Sequence, residues 1–181
     1  EQVIEALSRV LGADMAFVSR ALGVPPSEVQ VLAAWQYGSR KEAWNFPLAG
    51  TPCDLIYDSP KAPLAGAVVH NGGQIVIPEG LCEKFEATRN TRFQSFIGVP
   101  LWNRQGDMTG HLAVFFEEPM HDEARIKLTL EIMQLLAHRV EGELAEQLYL
   151  KLGYVRVGEI PNYASFPDGR LWATVIFYKE L

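Results

Sequence analysis

The sequence predicts an α+β fold: an antiparallel sheet of five to six strands flanked by helices, and a long C-terminal helix followed by an extra β-hairpin. Three patterns support this prediction. Residues 93–118 contain two apolar runs joined by a polar, glycine-containing turn, which is a hairpin signal. Residues 122–148 place apolar side chains at helical spacing. Residues 154–178 contain two strand-like runs around Pro167-Asp168-Gly169, a strong turn signal.

The N-terminal quarter predicts one helix and two strands. Residues 1–11 carry apolar side chains at helical spacing, and Gly12 is a natural helix end. Residues 15–22 and 29–37 are strand-like. Residues 39–47 mix charges with two aromatic rings, and we expect a loop there.

The middle of the chain predicts short elements that lead into the central hairpin. Thr51 is expected to cap a short helix, with Pro52 at its first position, where the missing N–H does no harm. Residues 67–78 predict a strand, a tight Asn-Gly turn and a second strand. Residues 81–88 predict another short helix, and residues 109–116, apolar on both faces, predict a central strand covered on both sides.

The long helix changes character along its length. Its first half is apolar around most of its circumference, which predicts burial. Its second half narrows to Val140, Leu144 and Leu148. This narrow stripe either covers the sheet of the chain's own tail or pairs with the same helix of a second chain, and we favour the homodimer because the stripe continues past the expected edge of the sheet.

Composition excludes several classes of protein. The 181 residues carry a net charge of −6 without a Lys/Arg cluster, which argues against nucleic acid as a partner. No apolar run approaches the roughly 20 residues that span a bilayer, so no membrane partner is expected. The amphipathic, acidic N-terminus is unlike a signal peptide, and we expect a cytoplasmic location.

Neither the histidines nor the cysteines predict a metal site or a disulfide framework. The four histidines lack ligand spacing; they are His70, His111, His121 and His138. Cys53 and Cys82 are too few and too widely separated. Cys53 is expected at a helix N-terminus, which lowers a thiol pKa, so a redox or attachment role is the lesser alternative for it. The simpler interpretation is a small buried residue near a pocket.

Residues 1–145 resemble a GAF domain, the small-molecule sensor module of signalling proteins. The resemblance is carried by residues 11–18 (LGADMAFV), 48–53 (LAGTPC), 77–81 (IPEGL), 97–101 (IGVPL) and 110–116 (GHLAVFF). It implies an antiparallel sheet flanked by helices and a ligand pocket between the sheet and the connecting segments. It also implies that residues 122–144 form the signalling helix, with a downstream signalling domain as a possible partner.

The sequence identifies neither the ligand nor any cofactor. The chain has no NKFDE-like motif of the cyclic-nucleotide class, and neither cysteine lies in a phytochrome-type bilin-attachment context. For an unidentified small molecule we predict mostly apolar walls with a few polar groups. The expected lining is Trp35, Trp44, Phe46, Thr51, Cys53, Phe96 and His111.

Residues 146–181 are similar to the C-terminal end of a GNAT acetyltransferase. The resemblance rests on residues 148–154 (LYLKLGY), 157–161 (VGEIP) and 178–181 (YKEL). It implies that Tyr149 stands where the family's tyrosine protonates the departing CoA thiolate. The R/Q-x-x-G-x-G/A loop that holds the CoA pyrophosphate is missing from the sequence.

Three hypotheses follow from the sequence. The first is a non-enzymatic sensory domain that binds a small molecule and dimerises through terminal helices. The second is an acetyl-CoA-dependent N-acetyltransferase relative or its catalytically dead remnant. The third is a structural dimerisation domain whose pocket is filled by its own side chains.

Overall fold

A computed structural model describes residues 2–103, 106–151, 153–165 and 171–179. Within these ranges, the side chains at positions 64, 139–149, 151, 164–165 and 171–172 lie outside the description. The chain divides into two compact units, residues 1–138 and 139–181. This division by contacts does not test the predicted domain boundary after residue 145, which stays a prediction.

The first unit contains one continuous sheet with helices around it. Its strands are β1 (Met15–Leu22), β2 (Glu28–Gln36), β3 (Ser39–Lys41), β4 (Asn45–Pro47), β5 (Val68–His70), β6 (Gln74–Ile77), β7 (Ser95–Trp102) and β8 (Met108–Phe116). Its helices are α1 (Gln2–Leu11), α2 (Asp54–Tyr57), α3 (Leu81–Lys84) and the first part of α4 (Glu123–Lys151). Two 3-10 turns span Ser59–Ala65 and Glu86–Thr88.

The sheet is antiparallel throughout the described pairings. Its order is β3-β2-β1-β8-β7-β6-β5, and β4 also pairs with β2. It has eight strands instead of the five to six predicted. The difference lies in residues 39–47, which were expected to be a loop but form β3 and β4 along β2. Tertiary pairing decides such short polar segments, and their own sequence carries no strand period.

The predicted central hairpin is confirmed as β7 and β8, and its glycines explain how closely the strands pack. A Cβ at Gly110 would lie 2.0 Å from the backbone oxygen of Ser19 on β1. A Cβ at Gly98 would lie 2.4 Å from the end of the Ile56 side chain on α2. Glycine at these positions lets β1 approach β8 and lets α2 approach β7.

The α2 helix begins later than the sequence predicted. Its N-cap is Cys53, which makes no side-chain capping bond, and the helix itself starts at Asp54. The Thr51 hydroxyl instead donates to the Leu48 carbonyl oxygen at 2.7 Å. The prediction of a Thr51 cap with Pro52 at the first helical position is therefore wrong, because Thr51 closes the preceding turn.

The first half of α4 is only partly buried. Leu130, Met133 and Ala137 are buried, whereas Leu128 and Leu135 are 57% and 55% exposed. The expectation that this half is buried around its circumference is wrong, because only one face of the helix is covered. Asp122 begins the helix as predicted, since its Oδ1 accepts a hydrogen bond from the Ala124 N–H at 2.9 Å.

The second unit contains the end of α4 and the predicted hairpin. Strands β9 (Val155–Ser165) and β10 (Leu171–Tyr178) pair antiparallel, with Val155 opposite Tyr178. The Pro167-Asp168-Gly169 turn lies outside the described residues. Across the described chain, no helix is both long and apolar enough to cross a membrane.

Candidate functional site: a cavity beside β1

A cavity of about 490 Å³ lies on one face of the sheet. Its floor comes from Met15 and Phe17 on β1 and Phe115 on β8, and its walls come from some of the residues in the segments 44–53 and 86–93, together with Gln36. The two wall segments are tied together by a backbone hydrogen bond from the Ala87 N–H to the Gly50 carbonyl oxygen, 3.3 Å long. The volume falls within the range of small-molecule sites, roughly 300–1,000 Å³.

Four residues of the predicted lining do border this cavity. They are Trp44, Phe46, Thr51 and Cys53. Trp44 and Phe46 each meet the ring of Phe17 edge-on, with centroids 6.1 and 6.0 Å apart. The local reason is that β4 pairs with β2, which brings these rings over β1.

Three other residues of the predicted lining lie elsewhere, and the expected lining is corrected accordingly. Trp35 borders a separate, smaller cavity beside α1, and the Arg9 guanidinium lies 5.8 Å from its ring centroid. Phe96 is fully buried, with its ring edge-on to Phe115 at 5.0 Å. His111 is fully buried as well, and its ring lies 5.4 Å from that of Phe17. Phe96 and His111 therefore pack behind the cavity floor.

Cys53 has the opposite electrostatics to those predicted. The side chain is buried, and this desolvation raises the pKa of the thiol well above its ordinary value. Burial outweighs the influence of the short helix end because a thiolate there would lose its hydration. Cys53 is therefore a neutral wall residue, and the prediction of a lowered thiol pKa is wrong.

His111 belongs to a buried polar cluster that joins three elements. Its Nδ1 lies 2.8 Å from the Ser19 hydroxyl oxygen on β1 and 2.9 Å from the Tyr57 hydroxyl oxygen at the end of α2. Burial lowers the pKa of His111 to about 3 and raises that of the Tyr57 hydroxyl above its ordinary range. All three groups are therefore neutral at physiological pH, and their role in the fold is to hold α2 against the sheet.

Metal chemistry finds no support in the described part of the chain. No three His, Cys, Asp or Glu side chains come together there as a metal site requires. The side chains predicted for the dimer helix and for acid catalysis lie outside the described residues; they are Val140, Leu144, Leu148 and Tyr149.

Comparison with known families assigns the fold. The model of the GAF domain family matches residues 1–144. The chain therefore belongs to the GAF family. The resemblance stated from the sequence motifs is confirmed, whereas the tail's similarity to acetyltransferases stays a prediction.

Solved structures of other GAF domains share this architecture. The phycocyanobilin-bound GAF domain of a cyanobacterial phytochrome is 20% identical, with a TM-score of 0.54 over 82% of each chain. The GAF domain of A. aeolicus nlh2 in an inactive state is 14% identical, with a TM-score of 0.52 over 84% of this chain and 82% of that one. The GAF domain of Acinetobacter phosphoenolpyruvate-protein phosphotransferase is 15% identical, with a TM-score of 0.51 over 83% and 80%. At these identities the likeness establishes the fold alone.

Several residues that line the cavity of this GAF domain were missed from the sequence. The larger ones are Met15, Phe17, Gln36, Glu86, Thr88, Thr91, Phe93 and Phe115. A partial signal existed for the first two, because residues alternate faces along a strand and Met15 and Phe17 therefore share one face of β1. No sequence signal distinguishes that face from the opposite one, because both faces of β1 are largely buried.

Proposed function

We propose that this GAF domain is a non-enzymatic sensory module that binds a small molecule in the cavity and regulates a downstream signalling domain through its terminal helices, as a homodimer. The cavity carries the proposal: an aromatic-walled space of about 490 Å³ lies open between the sheet and its connecting segments. A space of this size argues against a pocket filled by the protein's own side chains. The phycocyanobilin-bound GAF domain supports the proposal, since a protein of this fold holds a small molecule.

Strand β1 supplies a physical route from the cavity to a helix. Met15 and Phe17 line the cavity, while α1 packs on β1 and β2. The buried α1 residues that make this packing possible include Ile4 and Leu7. A ligand that binds one position of β1 more tightly than another biases the position of α1 by that difference in binding free energy.

The terminal helices offer apolar surface for a second copy of the domain. On α4, Leu128 and Leu135 are exposed and seven residues apart, so they share one helix face. Val10 on α1 is also exposed. Two leucines at heptad spacing are the pattern of a helix-pair interface, which supports a dimer seam along α4.

Native mass spectrometry tests whether the cavity is a binding site. Protein purified from its own host is expected to carry a mass excess that disappears on denaturation. Ala87→Trp places a bulky ring at the exposed mouth of the cavity and is expected to remove the excess. Ala124→Trp, at an exposed position on α4, is the matched control and keeps it. A mass equal to that of the bare chain in repeated preparations contradicts the proposal.

A further inference from the structure

The walls of the cavity are built from aromatic rings. Five rings border it, and each contacts at least one of the others; the five are Phe17, Trp44, Phe46, Phe93 and Phe115. Phe17 is their common centre, within 6.1 Å of Trp44 and 5.9 Å of Phe115, ring centroid to ring centroid. Aromatic rings favour flat apolar molecules because both bury apolar area on contact. The face of a ring also carries partial negative charge, which attracts cations and repels anions.

The three threonine hydroxyls of the cavity already donate hydrogen bonds within the protein. Thr51 donates to the Leu48 carbonyl oxygen at 2.7 Å, and Thr91 donates to the Thr88 carbonyl oxygen at 2.7 Å. Thr88 itself donates to the Leu81 carbonyl oxygen at 2.9 Å. A hydroxyl has one hydrogen to donate, so toward a ligand these three can only accept hydrogen bonds, and the Thr91 oxygen already accepts one from the Phe93 N–H at 3.3 Å. Gln36 adds an amide that both donates and accepts.

The charge at the cavity has a single sign. Among the described residues of the lining there is no Lys, Arg or His, and the exposed Glu86 is its one acidic residue. A phosphate or carboxylate group entering this space loses its hydration, meets no cation and approaches Glu86. A positive charge on the ligand meets Glu86, ring faces and hydroxyl lone pairs.

We propose that the cavity selects a small planar aromatic cation and rejects anionic ligands. This inference rests on the proposed function, because it names the chemical class of ligand for the same cavity. The aromatic body of the ligand lies among the rings around Phe17, and its charged group lies toward Glu86. Hydrogen-bond donors on the ligand are taken up by Thr51, Thr88 and Thr91.

A series of three naphthalene probes whose polar groups are cationic, neutral and anionic tests the selection. The probes are 2-naphthylmethylammonium, 2-naphthalenemethanol and 2-naphthylacetate, all with one CH2 group between the ring and the polar group, titrated into the full chain by calorimetry. The ammonium is expected to bind at least about tenfold more tightly than the carboxylate, with the alcohol between them. Glu86→Gln is expected to weaken ammonium binding about threefold or more and to leave the alcohol unchanged, because it removes only the charge. Glu83→Gln, an exposed glutamate outside the lining, changes none of the three affinities.

The other possible results of these titrations each contradict one part of the two proposals. Equal or tighter binding of 2-naphthylacetate overturns the charge selection, and binding that persists in Ala87→Trp places the probes outside the cavity and overturns the assignment. If no probe binds while the purified protein carries a ligand in native mass spectrometry, the ligand class is wrong and the sensory proposal stands. If no probe binds and no ligand is carried, both proposals fail.

Discussion

The hydroxyl oxygen of the partly buried Tyr57 lies 2.9 Å from Nδ1 of the fully buried His111. The two residues are 54 positions apart in the chain, and their contact joins α2 to β8 directly behind the cavity floor. The hydroxyl of Ser19 lies 2.8 Å from the same nitrogen. A buried polar group of this kind stabilises a fold only while its partners are present and it stays neutral.

Acid is therefore expected to destabilise the domain through His111. The unfolded chain protonates this imidazole near pH 6.5, whereas burial lowers its folded-state pKa to about 3. The unfolded state binds more protons between these values, so the free energy of unfolding falls as the pH falls from 6.5 to 3, by up to about 5 kcal/mol. Urea titrations across this pH range measure the effect.

His111→Gln separates this histidine from the others. The variant loses stability at pH 7, by about 1–3 kcal/mol for the broken hydrogen bonds, and its stability then depends less on pH between 6.5 and 3. His121→Gln, at an exposed position, is the control for removal of a histidine and is expected to keep nearly the wild-type stability at pH 7. An unchanged acid slope in His111→Gln contradicts the assignment.

Gly110→Ala is expected to be strongly destabilising. The new Cβ would lie 2.0 Å from the Ser19 backbone oxygen, and neither strand can move without breaking the β1–β8 pairing. We expect a loss of about 3 kcal/mol or more in the free energy of unfolding, from chemical denaturation. Gly158→Ala is the control, because a Cβ there meets nothing within 4 Å. Equal stability of the two variants would show that β1 and β8 are further apart.

Cys82 is expected to react with iodoacetamide well before Cys53. Burial raises the pKa of the Cys53 thiol, and only the thiolate is nucleophilic, so Cys53 stays unmodified at pH 8 in the folded protein. Cys82 is partly exposed. Peptide mass spectrometry after timed labelling gives the order, and labelling in urea confirms that both thiols react once unfolded. Faster modification of Cys53 in the native protein would show that the cavity wall opens.

Leu135→Glu is expected to dissociate the proposed dimer. The side chain is 55% exposed, so the substitution leaves the folded domain intact while it places a charge in the helix seam. Light scattering should give a mass near 20.2 kDa for the variant and twice that for the wild type. Gln134→Glu adds the same charge at an exposed neighbouring position and keeps the dimer. A wild-type mass of one chain, or a dimeric Leu135→Glu, contradicts the seam.

The sequence predicted the long elements better than the residues at the site. Periodic apolar patterns that extend over eight residues or more predicted the hairpin β7–β8, the strands β1 and β2 and the helix α4. Each of these elements formed where it was expected. Residues 39–47 have no such period, so the pairing of β4 with β2 was missed, and it is this pairing that brings Phe46 over Phe17.

The side chains at the cavity show why the sequence predicted only part of the lining. Cys53, Thr51 and Trp44 were expected at the lining from their place near a short helix, and they border it. Trp35 was expected beside them but lies near Arg9, because one step along a strand moves a side chain to the other face of the sheet. The alternation of side chains along a strand does not indicate which of the two buried faces of the sheet borders a cavity.

The sequence by itself determined the GAF family, the antiparallel order of its elements and the long helix, because each depends on local periods and motifs within a single stretch of chain. Only the tertiary structure decided that Cys53 and His111 are neutral, that Phe17 is the centre of an aromatic cavity, and that Leu128 and Leu135 face outward. Those properties depend on desolvation and on which distant segments meet, and desolvation is a property of the packed molecule.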